Sequence, residues 1–331
     1  MNKKSPKLLS DTEKAQMAAS SYAHRPVLLD EALTALEVEP AGIYVDATFG
    51  RGGHSQAILA RLNKQGFLLA LDKDPQAIQA AQELFPQETR LAIEHGSFSA
   101  LQTFVENRGL LGKVNGVLLD LGVSSPQLDD PERGFSFRRE GPLDMRMDPT
   151  SGLSAAQWLA IAPEREIANV VKTYGEESHA RRIARAIVEH RVTQPIVTTG
   201  ELQALVAQAK PNREKGKDPA TQTFQAIRIF INRELDDLRA CLPQVLKILA
   251  PGGRLVVISF HSLEDRIVKR FMRNEARGDS FPKDLPVRAH ELTPQLRVIG
   301  KAVHAGAVEV AANPRARSAV MRVAEKIDLA A

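Results

Sequence analysis

The 331-residue chain contains one cysteine and one tryptophan, and aromatic residues make up only 5% of it. A single cysteine excludes an internal disulfide and a thiolate cluster for zinc, so no metal site is predicted. Cys241 lies in a helical pattern and is expected to pack in the interior. The longest apolar runs are strand-sized, and Met-Asn-Lys-Lys-Ser-Pro is followed by no segment typical of a signal peptide. We therefore expect a cytoplasmic protein without a membrane partner.

Positive charge is only slightly in excess, since the chain has 44 Lys and Arg against 40 Asp and Glu and a net charge of +4. This mild bias favours polyanionic partners but argues against strong binding to naked nucleic acid. A hydrophobic fraction of 43% with 25% charged residues is typical of a globular protein. The length fits one large domain or two ordinary ones. Nothing in the sequence indicates an obligate protein partner.

Strand-like and helical segments alternate through the first third of the chain. The strands are predicted at Gly42 to Ala47, Phe67 to Asp72, Leu91 to His95 and Val114 to Leu121, and the helices at Ser55 to Asn63, Pro75 to Leu84 and Ser99 to Asn107. This alternation predicts an α/β fold in which helices cover a parallel sheet.

After Leu121 the alternation gives way to helical periods until a strand at Leu255 to Phe260, with a last strand at Ser318 to Ala324. A long helical stretch is expected from Thr221 to Leu249, and Trp158 is expected in a helical core. The pattern predicts a helical block inserted between the fourth and fifth strands. We predict a flexible arm over residues 1–20, a main domain over 21–138 and 221–331, and an inserted helical domain over 139–220.

The stretch Asp46-Ala-Thr-Phe-Gly-Arg-Gly-Gly-His54 runs from a buried strand into a glycine-rich turn. Glycines let the backbone approach a ligand closely, and Asp72 ends the next strand about 20 residues later, where it suits a ribose diol. Nicotinamide dinucleotides and S-adenosylmethionine both fit this arrangement. Ser55 departs from the dinucleotide fingerprint, and Asp46 is interpreted as a partner for an ammonium group, so S-adenosylmethionine is favoured.

Asp46, Asp72, Phe98 and Asp120 all fall at or just after strand ends, where α/β sheets bind ligands. Phe98 is interpreted equally well as a helix-start contact or as a ring packed on adenine. In Asp120-Leu-Gly-Val-Ser-Ser-Pro-Gln127, the oxygens of Asp120, Ser124 and Ser125 are candidates to hold the N–H groups of an amine during methyl transfer. The alternative for Asp120 is a capping role in the following turn.

Two later segments carry further candidates. Phe135 to Phe137 and Gly141 to Asp148 form a lid or a scaffold for the inserted helices, and His261 follows the fifth strand as a structural or rim residue. The helix behind it places Arg266, Lys269, Arg270, Arg273 and Arg277 opposite an apolar stripe, which favours a phosphate track over a merely solvated face. Smaller basic loops surround Lys210 to Lys217 and Arg315 to Arg317.

Six motifs resemble the bacterial 16S rRNA cytosine-N4 methyltransferase family called RsmH or MraW. They are His24-Arg-Pro-Val-Leu-Leu-Asp-Glu-Ala32, Asp46 to His54, Leu119-Asp-Leu-Gly-Val-Ser-Ser125, Arg133-Gly-Phe-Ser-Phe137, Asp144-Met-Arg-Met147 and Ile258-Ser-Phe-His-Ser-Leu-Glu-Asp265. The resemblance runs from about His24 to the C-terminal strand.

The resemblance implies a Rossmann-like, seven-stranded class I methyltransferase domain with an inserted all-helical domain that helps hold RNA. It implies methylation by S-adenosyl-L-methionine of a cytidine N4 amine in 16S rRNA, near the P site of the small (30S) subunit. The implied cofactor contacts are Gly52, Gly53, His54, Asp72, Phe98, Asp120 and Gln127. Asp-Leu-Gly-Val replaces the usual Asp-Pro-Pro-Tyr, so Phe135 or Phe137 is the candidate for the missing aromatic clamp, beside the substrate candidates His261, Arg266, Lys269, Arg270 and Arg273.

Three alternatives remain open at this point. The same cofactor fold could methylate DNA or a protein side chain. A nicotinamide oxidoreductase is disfavoured by Ser55 and Asp46. A non-enzymatic RNA-binding or assembly factor would need the basic helix but not the polar and aromatic groups at the strand ends.

Overall fold

A computed structural model describes residues 25–210, 218–278 and 292–328, and these contain a seven-stranded sheet. The strands are β1 Ile43–Asp46, β2 Phe67–Asp72, β3 Leu91–His95, β4 Val114–Asp120, β5 Leu249–Ser259, β6 Leu296–His304 and β7 Val320–Lys326. Their order is β3-β2-β1-β4-β5-β7-β6. β1 to β5 are mutually parallel, and β7 pairs antiparallel with both β5 and β6. This is the predicted Rossmann-like methyltransferase fold.

Helices cover both faces of the sheet and fill the long insertion between β4 and β5. In chain order they are α1 Leu29–Leu36, α2 Gly53–Leu59, α3 Pro75–Leu84, α4 Leu101–Glu106, α5 Ser125–Asp129, α6 Ala155–Ile161, α7 Glu164–Gly175, α8 Ala180–His190, α9 Thr199–Ala209, α10 Thr221–Ile231, α11 Glu234–Ile248, α12 Ser262–Arg277 and α13 Ala307–Ala312. None of the helices in the described ranges has both the length and the apolar content that crossing a bilayer requires.

The core lies on both faces of the sheet because the central strands are buried on both sides. Leu69 and Leu71 of β2 pack with α4 and α11 on one face, while Leu68 packs with α1 and α2 on the other. Cys241 of α11 is fully buried in the first of these clusters, as expected, and burial raises the pKa of its thiol. The bounds of β2, α3 and β3 agree with the sequence prediction.

Some elements differ from the sequence prediction, and others were not anticipated. The long helix expected from Thr221 to Leu249 is two helices, α10 and α11, because Arg233 takes a left-handed conformation with φ 54° between them. β5 starts at Leu249, earlier than expected, and shifts register at a bulge before Arg254. The edge strand β6 and the N-terminal helix α1 had no counterpart in the predicted elements.

The inserted helices share a hydrophobic cluster of their own. It runs from Leu143 through α6 to α10, and it contains Trp158, which is 5% exposed and donates from Nε1 to Glu166 Oε1 at 2.8 Å. Trp158 is therefore a core residue, as predicted. The division at residue 220 stays a prediction, although the cluster extends past it to Phe224 and Ile227 of α10.

Candidate functional site

A cavity of about 640 Å³ opens at the carboxyl ends of the parallel strands. The chain moves from β1 outward through β2 and β3, whereas β4 and β5 lie on the other side of β1. The strand order therefore reverses between β1 and β4, where sheets of this kind bind ligands. Asp72, Phe98 and Asp120 line the cavity from three of the four predicted strand ends, and Thr48 lines it after β1 in place of the predicted Asp46. The predicted strand ends therefore converge, but Asp46 itself does not reach the cavity.

The glycine-rich turn after β1 is shaped by contacts that leave no room for larger side chains. Gly52 has φ 76°, and a Cβ there would lie 2.6 Å from the ring of Phe49. A Cβ on Gly53 would lie 2.3 Å from Pro26. Gly53 and Gly50 line the cavity and Gly52 supports the turn from behind, outside the lining. The turn offers backbone, not side chains, to a ligand.

Asp72 is held at the tip of β2 by two backbone donors. Oδ2 accepts from Gly50 N–H at 2.7 Å and Oδ1 accepts from Asp74 N–H at 2.8 Å. Burial raises the pKa of this carboxyl to about 6, although these hydrogen bonds oppose the rise. The Gly50 contact links the glycine turn directly to the acid that the sequence paired with it.

A buried network fixes α5 beside the cavity and occupies Gln127. Gln127 Oε1 accepts from Ser124 N–H at 2.9 Å, and Nε2 donates to Asp74 Oδ2 at 2.8 Å. The same carboxylate oxygen accepts from Arg133 Nη1 at 2.8 Å. Gln127 lines the cavity as predicted, but its amide is already bound to protein groups. Asp74 and Arg133, which the sequence reasoning did not include in the site, position this wall.

Asp120 lines the cavity with an incompletely hydrogen-bonded carboxyl. Its Oδ1 is buried and accepts no hydrogen bond within the described residues, and Oδ2 lies 3.7 Å from His54 Nδ1. Burial and, after it, the charges of Asp46 and Glu264 raise its pKa well above the ordinary value. The backbone N–H of Asp120 donates to Thr48 Oγ1 at 2.7 Å. The Asp120 side chain is 24% exposed, so part of its carboxyl reaches the cavity.

His54 lies behind Asp120 at the start of α2 and is 5% exposed. Burial lowers the pKa of its imidazole to about 4, so the ring is neutral at neutral pH. Its contact with Asp120 is therefore not an ion pair. His54 lines the cavity, as predicted, as a neutral polar group.

The remaining predicted residues of this region also line the cavity. Ser124 and Ser125 lie where α5 begins, and Ser125 is exposed. Phe98 is half-buried at the cavity wall and packs against the core beneath it. Both interpretations of Phe98, a packing residue and a platform for a flat ligand, fit this position.

A second group of buried charged residues adjoins the cavity from the other side. Arg228 donates from Nε and Nη2 to Glu234, each at 2.9 Å, and Glu264 Oε1 lies 3.1 Å from His261 Nε2. Burial raises the pKa of Glu264, but His261 and Arg228 outweigh it and the net shift is downward. Glu234 and Glu264 line the cavity, whereas His261 does not. Potential metal-ligand atoms of Glu234, His261 and Glu264 lie within 4.8 Å of one another. The Arg228 guanidinium already compensates the negative charge of this group, so we assign no metal.

The interpretation of Asp46 as the partner of an ammonium group is wrong. Its side chain is fully buried below the cavity, where Oδ2 accepts from Ser55 Oγ at 2.7 Å and Oδ1 accepts from Thr48 N–H at 3.2 Å. Burial raises its pKa to about 7. Asp46 and Ser55 hold the glycine turn together, which explains why Ser55 replaces a smaller residue.

Phe137 does not lie at the cavity, so its interpretation as an aromatic clamp is not supported. Its ring packs edge-on against Phe224, with centroids 5.0 Å apart, in the cluster of the inserted helices. Phe135 is buried against Arg133 and does not line the cavity either. Leu143 and Met145 are also buried in the helical cluster. Of the two interpretations of this segment, the scaffold fits the structure, and Met147 alone reaches the cavity from it.

The basic face predicted on α12 is exposed, but it runs away from the cavity. Arg266, nearest the rim, pairs with Glu176 of the inserted helices at 3.1 Å. At the other end, Glu275 O accepts from Gln295 N–H beside the start of β6, at the edge of the sheet opposite the cavity. Lys269, Arg270, Arg273 and Arg277 are exposed along this path. A role for them in RNA binding stays a prediction.

The basic loop predicted from Lys210 to Lys217 lies mostly outside the described residues, which omit 211–217. Lys210 itself donates to Glu177 Oε2 at 2.6 Å within the inserted helices. The predicted arm over residues 1–20 also lies outside the described ranges.

Comparison with known proteins identifies the family. The model of the MraW methylase family matches residues 21–327. The chain belongs to the MraW methylase family. This membership confirms the resemblance carried by the six motifs, and it makes S-adenosylmethionine the cofactor. The alternative of a nicotinamide oxidoreductase is therefore wrong.

Solved methyltransferase structures are similar to the chain at low identity. An rRNA methylase from Streptococcus thermophilus is 12% identical, covering 91% of this chain and 94% of its own, with a TM-score of 0.39. A SAM-dependent methyltransferase from Aquifex aeolicus is 8% identical, covering 96% and 100%, with a TM-score of 0.37. Fibrillarin from Aeropyrum pernix, with natively bound S-adenosylmethionine, is 10% identical, covering 92% and 76%, with a TM-score of 0.38.

The residues of the MraW methylase cavity fit this cofactor. The glycine turn gives a backbone surface that a Cβ at position 53 would obstruct, and Asp72 is oriented by two N–H groups. Gly53, His54, Asp72, Phe98, Asp120 and Gln127 all line the same cavity. The cavity volume is within the range of ligand pockets in proteins.

Proposed function

We propose that this MraW methylase transfers a methyl group to the N4 amine of a cytidine in 16S rRNA, near the P site of the small ribosomal subunit, in the cytoplasm. One observation carries the proposal. The Asp120 side chain, which is 24% exposed, lines the same cavity as the glycine turn and Asp72, and its Oδ2 lies 3.7 Å from His54 Nδ1, too far for a hydrogen bond. An N–H donor of a substrate that enters the cavity can therefore bind this carboxyl.

The main task of the protein in this reaction is to align the acceptor amine with the methyl group. S-adenosylmethionine supplies, when bound, a methyl group already activated by a sulfonium centre. The lone pair of a cytosine amine is delocalised into the ring, so the amine must be turned toward the methyl group by acceptors that hold its N–H hydrogens. The protein therefore needs oxygen acceptors at the end of β4, beside the cofactor residues.

Asp120 is the first of these acceptors. Its carboxyl has a raised pKa in the absence of ligands, and a positive charge placed next to it favours the ionised form, which accepts the hydrogen bond more strongly. Asp120 lies between the glycine turn after β1 and the acceptor residues Ser124 and Ser125, so this one residue contacts both cofactor and acceptor. We assign it the central positioning role.

Ser124 and Ser125 supply the second acceptor. Both line the cavity in the segment that follows Asp120. The hydrogen bonds that join Gln127, Asp74 and Arg133 hold this segment in place. After transfer the amine must lose a proton. The methylated amine is acidic enough for solvent to take it, so no dedicated base is assigned.

The inserted helices and the exposed basic face of α12 are proposed to hold the RNA around the target base. A contact between them supports this assignment, since Arg266 of α12 pairs at 3.1 Å with Glu176, the residue that follows α7. A ribosomal subunit presents a fixed shape, which suits a modestly charged protein better than naked RNA does.

The proposal is tested by transfer of labelled methyl groups to small subunits that lack base modification, with naked 16S RNA and single-stranded DNA in parallel. Nucleoside mass analysis then identifies the product. We expect N4-methylcytidine on the assembled subunit and none with the Asp120→Ala variant. Label in another nucleoside, in DNA or in protein, or no label despite measured cofactor binding, would contradict the proposed reaction.

A further inference from the structure

An exposed ion pair stands at the mouth of the cavity. Arg315, from the short 3₁₀ helix Pro314–Ser318, donates from Nη2 to Asp129 Oδ1 at 2.5 Å and from Nη1 to Oδ2 at 3.2 Å. Both residues line the cavity, and they are 186 positions apart in the chain. Their side chains are 41% and 59% exposed, so solvent and a substrate can reach them.

Two further arginines face the same carboxylate from a third segment. Arg139 Nη1 donates to the backbone oxygen of Asp129 at 3.3 Å, and the charges of Arg315, Arg139 and Arg138 all lower the pKa of the Asp129 carboxyl. Arg138 and Arg139 are exposed. We call these four residues the mouth cluster. It contains three guanidinium groups and one carboxylate, so positive charge is in excess within these four residues.

Two nearby acids have contacts away from the Arg315 fork. Asp130 Oδ1 accepts from Glu132 N–H at 3.0 Å and caps a short 3₁₀ helix. Glu140 lies against Gly200 at the start of α9. Among the described residues, Asp129 is the carboxylate that occupies the bidentate fork of Arg315.

A bidentate guanidinium fork matches the oxygens of a phosphodiester as well as those of a carboxylate. Asp129 ends the short helix that begins with Ser125, so the cluster lies next to the wall that we assign to the acceptor amine. A nucleotide whose base is turned into a cavity leaves its phosphates at the mouth. The cluster occupies that place.

We propose that Arg315, with Arg138 and Arg139, binds the RNA backbone phosphate beside the target nucleotide, and that Asp129 occupies the phosphate's position in the free protein. This inference rests on the proposed RNA substrate and deepens it. The carboxylate keeps the arginine fork oriented and weakens binding to any phosphate that does not bring a base into the cavity. The cluster, and not the distant end of α12, is then the phosphate site closest to the reaction.

The proposal predicts opposite effects for the two partners of one ion pair. Arg315→Ala removes a phosphate ligand and should weaken binding of a single-stranded oligoribonucleotide, measured by fluorescence anisotropy, by roughly threefold to tenfold. Asp129→Asn removes the competitor and should strengthen it. The slope of log K against log salt should become shallower by about 0.7 for Arg315→Ala. Arg317→Ala, an exposed arginine of the same 3₁₀ helix that does not line the cavity, is the matched control and should change neither quantity.

An ion pair that only stabilises the fold would behave differently. Both variants would then lose thermal stability and affinity together, and this result would overturn the inference, as would two unchanged affinities. Methylation of small subunits by the same variants separates this inference from the proposed function. If the wild-type protein methylates cytidine but the two variants do not differ in sign, only the inference fails. If the wild-type protein neither binds nor methylates RNA, both fail.

Discussion

Thr48 Oγ1 accepts a hydrogen bond from the backbone N–H of Asp120 at 2.7 Å. The bond joins the turn after β1 to the last residue of β4, the two strands between which the strand order reverses. It adds a side-chain hydrogen bond to the backbone pairing of β1 with β4 and links the glycine turn directly to Asp120. The Thr48 hydroxyl thus helps to position Asp120 relative to the turn.

Replacing the Thr48 hydroxyl should loosen the link between the glycine turn and Asp120. Thr48→Val leaves the Asp120 N–H without a partner, which should lower the free energy of unfolding by about 1–3 kcal/mol. Turnover should fall more than cofactor affinity, because Asp120 shifts while Asp72 keeps its two backbone donors. Denaturant unfolding, cofactor titration and methyl transfer check this. Thr48→Ser keeps the hydroxyl and is the control; equal losses in both variants would contradict the role of the bond.

Cofactor affinity should depend on pH through Asp72. Burial raises the pKa of its carboxyl to about 6, so the carboxylate that accepts from ribose hydroxyls is lost as the pH falls through 6. Calorimetric titration should show affinity falling below about pH 6. The Asp72→Asn variant should bind more weakly at neutral pH and lose this pH dependence. A wild-type affinity that is flat from pH 5 to 8 would refute the assignment.

Asp46 should make the fold less stable as the pH rises. Burial raises its pKa to about 7, above the value in the unfolded chain, so the folded protein holds a proton that the unfolded chain releases. Its contribution to stability is present below about pH 4 and is lost as the pH rises through 7. Asp46→Asn should be more stable than the wild type at pH 8, on the order of 1–3 kcal/mol, and nearly equal at low pH. Urea unfolding at both pH values measures this difference, and a variant that is less stable at pH 8 would show that the charge is needed.

The glycine turn can be tested with two alanine variants of similar backbone strain. Gly52 has φ 76° and a Cβ there would lie 2.6 Å from Phe49, whereas Gly112 has φ 70° and open space around it. Both substitutions should cost about 1 kcal/mol of stability from the backbone alone. Only Gly52→Ala should also abolish cofactor binding. Intact binding by Gly52→Ala would mean that the turn adapts and does not shape the site.

Phe137 should matter for the inserted helices and not for the base. Phe137→Ala removes its edge-on contact with Phe224 and should lower stability by about 2–3 kcal/mol. Methyl transfer per folded molecule should be nearly unchanged at temperatures where the variant is folded. A specific loss of cytidine binding by a folded variant would restore the aromatic-clamp interpretation.

Much of the sheet could be predicted because its signals are local. Asp74 and Pro75 mark the start of α3, and the apolar runs of β2 and β3 end at polar residues, so their bounds follow from neighbouring positions. Asp72 and Asp120 were found by the rule that strand ends converge. In β6 only Leu296 is fully buried, so no alternation marks it. The helix break at Arg233 also has no sequence signal, because the residue in the left-handed conformation there is not a glycine.

The parts of the site that escaped prediction depend on contacts across the fold. Asp74, Gln127 and Arg133 form one network through side chains up to 59 positions apart, and no local pattern pairs them. Asp46 was misassigned as a ligand-binding residue because a carboxylate at a strand end can bind a ligand, whereas its side chain is fully buried beneath the turn. Phe137 was misassigned because an aromatic residue next to a rim motif can equally fill a neighbouring core. Glu264 stood in a quoted motif, yet only the fold brings it to the cavity.

In the proposed reaction, one cavity holds both the methyl donor and the acceptor base, with Asp120 between them. The most direct measurement is a crystal structure of the protein with S-adenosylhomocysteine and cytidine monophosphate. We expect the nucleoside of the cofactor product against Asp72 and Phe98, the cytosine amine hydrogen-bonded to Asp120, and the phosphate near Arg315. A cytosine bound outside this cavity, or an amine turned away from Asp120, would contradict the account.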